Sequence, residues 1–144
     1  MTLMKICVGT LLLFLFSPCF GKLGVDIVDV SKITPASTWE CLKSNGYTFM
    51  IQRIWQDWGA PDNNAKTIIA NAKEGGFTDI DLYMFPCRGD FPKEQARDVM
   101  KALEGIEYGT LWFDVESNPS DGCGWSSHST LTNCDFVVES IKEL

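Results

Sequence analysis

The sequence predicts an α/β fold built on a parallel sheet. Runs rich in aromatic and β-branched residues alternate with amphipathic helical segments, and the alternation returns after roughly 25 to 30 residues, as in consecutive βα units. Such units are right-handed and their strands are parallel. Four of them correspond to half of an eight-stranded β/α barrel of the TIM type. Because the chain stops at Leu144 inside a predicted helix, we expect only the N-terminal half to two-thirds of a barrel.

Each predicted strand is followed by a helix with recognisable ends. The strands are predicted at residues 25–30, 47–55, 77–85 and 108–115. The first three helices begin at a capping residue or a proline and end at a glycine. They are predicted to start near residues 34–37, at Asp62 and at Asp90, and to end at Gly46, Gly75 and Gly105. A fourth helix is predicted from residue 135 to the last residue.

Two acidic residues follow the fourth predicted strand. Asp114 and Glu116 are two residues apart, so they project to the same side of an extended strand. Two close carboxylates do not ionise independently, and one of them keeps its proton to a higher pH. Carboxyl pairs with separated pKa values cleave glycosidic bonds. Active residues of β/α folds gather at the carboxyl ends of strands, where Asp29 of the first predicted strand also lies.

The N-terminal residues predict a secreted protein. Lys5 precedes a short apolar run, and small residues lead to Gly21, the pattern of a signal peptide covering residues 1–21. The remaining domain, residues 22–144, holds 11 basic and 19 acidic residues, a formal charge of −8. This charge disfavours nucleic acid and anionic membrane as partners. We expect a monomer that is extracellular or located in a lysosomal or phagosomal lumen.

The cysteine residues predict disulfide bonds and no metal site. Cys41, Cys87, Cys123 and Cys134 remain after signal cleavage, and four cysteines in a secreted chain allow three pairings. We favour Cys123–Cys134, which closes a short local loop, and this leaves Cys41–Cys87. There is no Cys-X-X-Cys motif and His128 is the single histidine, so we expect neither a metal nor another cofactor.

Several motifs together resemble glycoside hydrolase family 25, the Chalaropsis-type lysozymes, and in particular its nematode and protist branch. Asp29-Val30-Ser31 is followed ten residues after the aspartate by Trp39. Further agreement covers residues 37–47, 83–87 and 111–116. The resemblance implies an irregular β/α barrel that hydrolyses the β-1,4 bond between N-acetylmuramic acid and N-acetylglucosamine in bacterial peptidoglycan.

The resemblance also implies roles for the acidic residues. Glu116 matches the family's general acid/base. Asp114 matches the neighbour that orients the substrate acetamido group or stabilises the positive charge developing on the sugar. Asp29 matches the aspartate of the first strand, and Asp26, in a similar Gly-Val-Asp context, is the alternative for that position and a candidate for binding substrate.

Three aromatic residues are candidates for substrate binding, each with a competing role in packing. Tyr83 matches a position that lines the sugar cleft, although core packing is equally compatible with the pattern. Trp112 shares a strand face with Asp114 and could form a wall of the pocket, or it could be buried. Trp55, after the second predicted strand, could stack on a sugar ring if its indole is exposed.

The predicted function is that of a secreted lysozyme acting in digestion of bacteria or in antibacterial defence. Two alternatives remain: an inactive relative that binds cell-wall glycan, and a non-functional fragment. The family carries a further acidic residue on later strands that this sequence does not contain, which is why the alternatives stay open.

Overall fold

The computed structural model describes residues 21–27 and 32–144. Within these ranges the strands are β1 (Leu23–Ile27), β2 (Tyr47–Gln56), β3 (Ala60–Pro61), β4 (Asp79–Met84) and β5 (Leu111–Phe113). The helices are α1 (Ala36–Ser44), α2 (Ala65–Glu74), α3 (Pro92–Leu103) and α4 (Thr130–Glu143). Asp29 and almost all of the predicted signal peptide lie outside the described residues, so both stay predictions.

The four main strands form one parallel sheet in the order β1-β2-β4-β5. The two-residue strand β3, which was not predicted, pairs antiparallel with the end of β2. The α/β class and the parallel sheet are thus confirmed. The spatial order of the main strands follows their order along the chain, as in consecutive units of a β/α barrel.

The sheet has two unlike faces because side chains alternate along each strand. We call one the packed face; it contributes fully buried Met50, Ile54 and Leu82 to a core shared with Trp39, Ile68 and Val99 of the helices. The other we call the open face, since it includes exposed Asp26 and half-exposed Trp112. By register its residues are Asp26, Ile51, Arg53, Asp81, Tyr83 and Trp112.

Three helices begin at residues other than those predicted, and α3 differs by only two residues, since it starts at Pro92 rather than Asp90. Helix α2 starts at Ala65 rather than Asp62, whose side chain accepts a hydrogen bond from Asn64 N at 3.4 Å in the turn before the helix. Helix α4 starts at Thr130, five residues earlier than predicted, because Ser129 Oγ accepts a hydrogen bond from Thr132 N and caps it. None of the helices in the described ranges has the length and apolar character needed to cross a bilayer.

The disulfide bond joins Cys87 to Cys123, so both predicted pairings are wrong. Cys87 follows β4 and Cys123 lies in the loop after β5; these neighbouring parallel strands deliver both residues to the same edge of the sheet, with the Cα atoms 4.4 Å apart. The number of residues between two cysteines, from which the short Cys123–Cys134 loop was favoured, does not show which strands are neighbours. Cys41 of α1 and Cys134 of α4 are free and exposed.

A buried glutamine holds the segment that carries Cys87. Gln95 Oε1 accepts hydrogen bonds from Cys87 N at 2.9 Å and from Trp55 Nε1 at 3.0 Å. Gln95 Nε2 donates to Cys87 O at 3.0 Å. The amide of this α3 residue therefore links β2 and the exit of β4, and each of its polar atoms is satisfied.

Candidate active site

Asp114 and Glu116 lie together at the carboxyl end of β5. Asp114 N donates to Met84 O at 3.0 Å, which continues the β4–β5 pairing and fixes the backbone of the acidic residue. The two carboxyl groups are hydrogen bonded to each other. The pKa of Asp114 is raised by partial burial, by the negative charge of Glu116 and the hydrogen bond with it, and by the charge of Asp26. The pair therefore keeps a proton to a higher pH than an isolated aspartate would.

Asp26 interacts electrostatically with this pair, although β1 and β5 are opposite edges of the sheet. Its pKa is raised by burial, lowered by Arg53 and raised by the negative charge of Glu116. Two strands, β2 and β4, separate β1 from β5. The interaction between the charges of Asp26 and Glu116 therefore crosses the open face of the sheet.

Tyr83 and Arg53 complete the cluster on the middle strands, where they are register partners. Burial raises the pKa of Tyr83 to about 12, with further increases from Asp26, Asp114 and Glu116 and an opposing effect of Arg53. The phenol therefore stays protonated and can donate a hydrogen bond. We call Asp26, Arg53, Tyr83, Asp114 and Glu116 the acid cluster.

Arg53 was not predicted as a site residue. Its Nε lies 3.4 Å from Oδ2 of Asp62, whose pKa is raised by burial even though Arg53 lowers it. A charged residue inside an otherwise uncharged strand was the available signal. Its place in the structure follows from the pairing of β2 with β4, which puts Arg53 beside Tyr83 on the open face.

The two tryptophans predicted to bind substrate have different surroundings. Trp112 is 51% exposed and its Nε1 donates to Asp81 Oδ2 at 2.8 Å, so its ring is available on the open face. Trp55 is only 3% exposed and bonds to Gln95. Its predicted stacking on a sugar is therefore wrong. A register irregularity between Arg53 and Trp55 interrupts the alternation along β2, which strand periodicity alone does not reveal.

A cavity of about 1020 Å³ lies at the opposite end of the sheet and contains none of the acid cluster. Its charged side chains include two ion pairs, Lys22–Asp79 at 2.5 Å and Lys73–Glu107 at 3.3 Å. In the described part of the chain, no group of three or more His, Cys, Asp or Glu side chains could hold a metal ion.

Comparison with known proteins identifies the family. The family model for Lysozyme-like protein 1 matches residues 23–144, and relatives described as probable GH family 25 lysozymes match as well. The chain belongs to the glycoside hydrolase family 25 lysozymes. The resemblance predicted from the motifs is thereby confirmed. The catalytic and binding roles given to individual residues stay predictions.

Three relatives illustrate how much of a family 25 protein the chain covers. Counting factor 50 of Dictyostelium discoideum is 33% identical over 129 residues, 85% of this chain and 41% of that protein. Lysozyme-like protein 5 of Caenorhabditis elegans is 33% identical over 112 residues, 74% and 51% respectively. Probable GH family 25 lysozyme 2 of D. discoideum is 37% identical over 93 residues, 62% and 43%. The chain thus spans about half the length of these relatives. No solved structure gives a significant match.

Proposed function

We propose that this family 25 chain carries the acid cluster of a secreted lysozyme that hydrolyses the β-1,4 bond between N-acetylmuramic acid and N-acetylglucosamine in peptidoglycan. The observation that carries the proposal is the neighbouring carboxyl pair Asp114–Glu116 at the carboxyl end of β5, with which the charge of Asp26 interacts across the open face. The names of the relatives support the lysozyme class. The pairing of carboxyl groups supplies the chemistry that glycoside hydrolysis requires.

The carboxyl pair is suited to hold and move one proton. Glu116, the exposed member, gives its proton to the glycosidic oxygen; the bond from that oxygen to the anomeric carbon breaks, and its electron pair stays on the departing oxygen. Asp114 orients the acetamido group, whose oxygen attacks the anomeric carbon. Water, deprotonated by Glu116, then opens this intermediate, so that the configuration is retained.

The neighbours of the pair support this chemistry. Asp26 is close enough to add negative charge beside the positive charge that develops on the sugar. Tyr83 stays protonated up to about pH 12 and can donate a hydrogen bond to substrate or to a carboxylate. Trp112 offers an exposed indole next to Tyr83 in the β4–β5 register, and such rings bind the apolar faces of sugars.

We place this activity outside the cell or in a lysosomal or phagosomal lumen, in digestion of bacteria or in defence against them. The leader predicted at residues 1–21 supports this location. The Cys87–Cys123 bond supports it as well, because disulfides persist mainly in oxidising compartments.

Replacing the general acid tests the proposal. We expect Glu116→Gln to lower the release of reducing ends from purified peptidoglycan by about 10²- to 10⁴-fold, the usual contribution of a general acid. Glu139→Gln, at an exposed position of α4, is the matched control and should retain the rate. Equal rates for both variants would remove Glu116 from the mechanism. Saturable binding of the unmodified chain to peptidoglycan without release of reducing ends would replace hydrolysis by glycan binding.

A further inference from the structure

Helix α4 carries apolar side chains on its outer side as well as on its inner one. On the inner side Phe136 and Ser140 are buried, and the Arg97–Glu143 ion pair joins the helix to α3 at 2.8 Å. On the outer side four uncharged side chains form one row, which we call the outer stripe. All four are exposed: Leu131, Cys134, Val138 and Ile141. The contacts that attach α4 to the rest of the domain therefore leave the outer stripe uncovered.

The spacing of the outer stripe is that of a helix that packs on another helix. Its members follow one another after three, four and three residues, which keeps them on one side of the helix and matches the a and d positions of a heptad. Leu131 is 72%, Val138 47% and Ile141 55% exposed. Among the described residues of α1, α2 and α3, the one large apolar side chain exposed to this degree is Met100, at 38%. Exposed apolar residues that cluster in this way mark interaction sites.

An apolar cavity of about 400 Å³ lies beside the outer stripe. Cys134 and Val138 of the stripe contribute to its lining, together with Val115 and Trp125 of the loop after β5. Val115 is itself 55% exposed. The apolar surface thus continues from α4 onto the neighbouring loop, and the cavity can receive a side chain of a partner helix.

Two charged residues flank the outer stripe on one side. Asp135 and Lys142 are exposed and seven residues apart, and neither forms an ion pair within the described part of the chain. With Cys134 and Ile141 at d, both charged residues occupy e positions, which form ion pairs between paired helices. In an antiparallel pair the e positions of the two helices are neighbours, so opposite charges meet. In a parallel pair the e position faces g, represented here by uncharged Val137.

We propose that the outer stripe is a dimerisation surface, on which α4 of a second copy of this chain packs antiparallel about a two-fold axis. Leu131 then lies against Ile141 of the second copy, and Cys134 lies against its Val138. The stripe is self-complementary, as a two-fold interface requires. Because the stripe is uncharged, it lets two copies meet although each carries a formal charge of −7.

The charges beside the stripe favour a second copy over other occupants. Asp135 of each copy pairs with Lys142 of the other, so one contact supplies two ion pairs. A membrane surface fits less well, because helices that lie on membranes are rich in Lys and Arg on their polar face, whereas α4 exposes Asp135 and Glu139 there. The proposal replaces the monomer expected from the sequence, and it does not rest on the proposed hydrolase function.

Sedimentation velocity of the purified chain over a range of concentrations tests the proposal. We expect a monomer at low micromolar concentration and a dimer toward millimolar concentration, since one helix pair makes a small interface. Val138→Lys should raise the dissociation constant by about a hundredfold or more, because two-fold symmetry removes two apolar contacts at once. Glu139→Lys, at the next exposed residue outside the stripe, is the matched control. A chain that is monomeric throughout, or equal effects of the two substitutions, would overturn the proposal.

Charge reversal tests the antiparallel arrangement. Asp135→Lys should weaken the dimer by about tenfold, because both ion pairs become repulsions between lysines. Adding Lys142→Asp to this variant should restore the affinity, since the pairs form again with their charges exchanged. A double variant that dimerises no more tightly than Asp135→Lys would overturn the arrangement. Melting curves check that all variants are folded.

The two free cysteines provide a measurement that needs no substitution. Alkylation of Cys134 by iodoacetamide should slow as the chain concentration rises into the dimer range, because the contact covers its thiol. Cys41 of α1 is also free and exposed and should react at a constant rate, which makes it the internal control. Mass spectrometry of the labelled peptides separates the two thiols. An unchanged rate at Cys134 in a chain that dimerises would place the contact elsewhere and overturn the proposal.

Discussion

The packed face and the open face of the sheet come from the same strands and have opposite properties. Leu82 and Tyr83 are neighbours on β4, yet Leu82 is enclosed by apolar side chains and Tyr83 lies among three carboxylates. The core members that the packed face contributes, Met50, Ile54 and Leu82, are apolar. The open face concentrates charge, including groups whose pKa is raised. On β4, a residue of the hydrophobic core and a residue of the acid cluster are thus adjacent in sequence.

The difference between the two faces indicates how the fold accommodates partly buried carboxyl groups whose ionisation lowers its stability. Partial burial of Asp26 and Asp114 raises their pKa values, so ionising them costs stability. The apolar contacts of the opposite face, formed by Met50, Ile54 and Leu82 with the helices, offset that cost. Substitutions on the two faces should therefore affect different measurements.

The largest stability effect is expected on the packed face. Leu82→Ala removes a fully buried side chain and should lower the free energy of unfolding by about 2–5 kcal/mol, measured by urea denaturation. Leu23→Ala is the matched control, since Leu23 of β1 is 57% exposed. Similar losses in both variants would contradict the assignment of Leu82 to the core.

The next largest loss of stability is expected in the loops at the carboxyl edge of the sheet, which border the candidate site and lie outside the hydrophobic core. Replacing Cys87 and Cys123 by serine removes a link between residues 36 positions apart and should cost about 2–4 kcal/mol. Replacing Cys41 and Cys134, which are free and exposed, should change the melting temperature little. If the second pair proved the more destabilising, the observed disulfide pairing would be incorrect.

Tyr83→Phe should separate activity from stability. A hydrogen bond to a charged group contributes about 1.5–3 kcal/mol, so we expect kcat/KM on peptidoglycan to fall about ten- to hundredfold. The melting temperature should change little, because the aromatic ring remains. Tyr108→Phe, at an exposed position, provides the control. A variant with normal kinetics but a large loss of stability would assign Tyr83 to packing alone.

The smallest expected effect is an increase in the free energy of unfolding when Asp114 of the candidate site is replaced. The folded-state pKa of Asp114 is raised, so the folded protein binds its proton more tightly and stability falls as pH rises through that pKa. Asp114→Asn should therefore be more stable than the unmodified chain at pH 7, by about 0.5 kcal/mol for a partly exposed site, and similar to it near pH 3. Urea denaturation at both pH values tests this, with exposed Asp121→Asn as the control. A gain of equal size at pH 3 would show a cause other than ionisation.

Local patterns predicted the order of elements and the proximity of Asp114 and Glu116. The strands and helices could be predicted because their hydrophobic patterns are properties of short segments. The side chains of two residues two apart on a strand point to the same side of the sheet, whatever the position of that strand in the fold. The interaction of Asp26 with this pair depends instead on the pairing of the four main strands, which places β1 and β5 in one sheet.

Features that depend on tertiary arrangement were not predictable in the same way. The Cys87–Cys123 pairing follows from the adjacency of β4 and β5. The burial of Trp55 follows from a register irregularity and from Gln95, which approaches from α3. Residue types and spacings predicted which side chains are candidates for the site, whereas strand pairing determines which of them lie near each other.

The hydrogen bonds from Gln95 have a consequence for oxidative folding. They hold the main chain of Cys87 through its N–H and C=O groups, neither of which depends on the oxidation state of sulfur. The reduced thiol is therefore already seated at the sheet edge that Cys123 reaches, while Cys41 and Cys134 are on helices. We therefore expect oxidation of the folded, reduced chain to favour Cys87–Cys123 over pairing of Cys87 with Cys41 or Cys134.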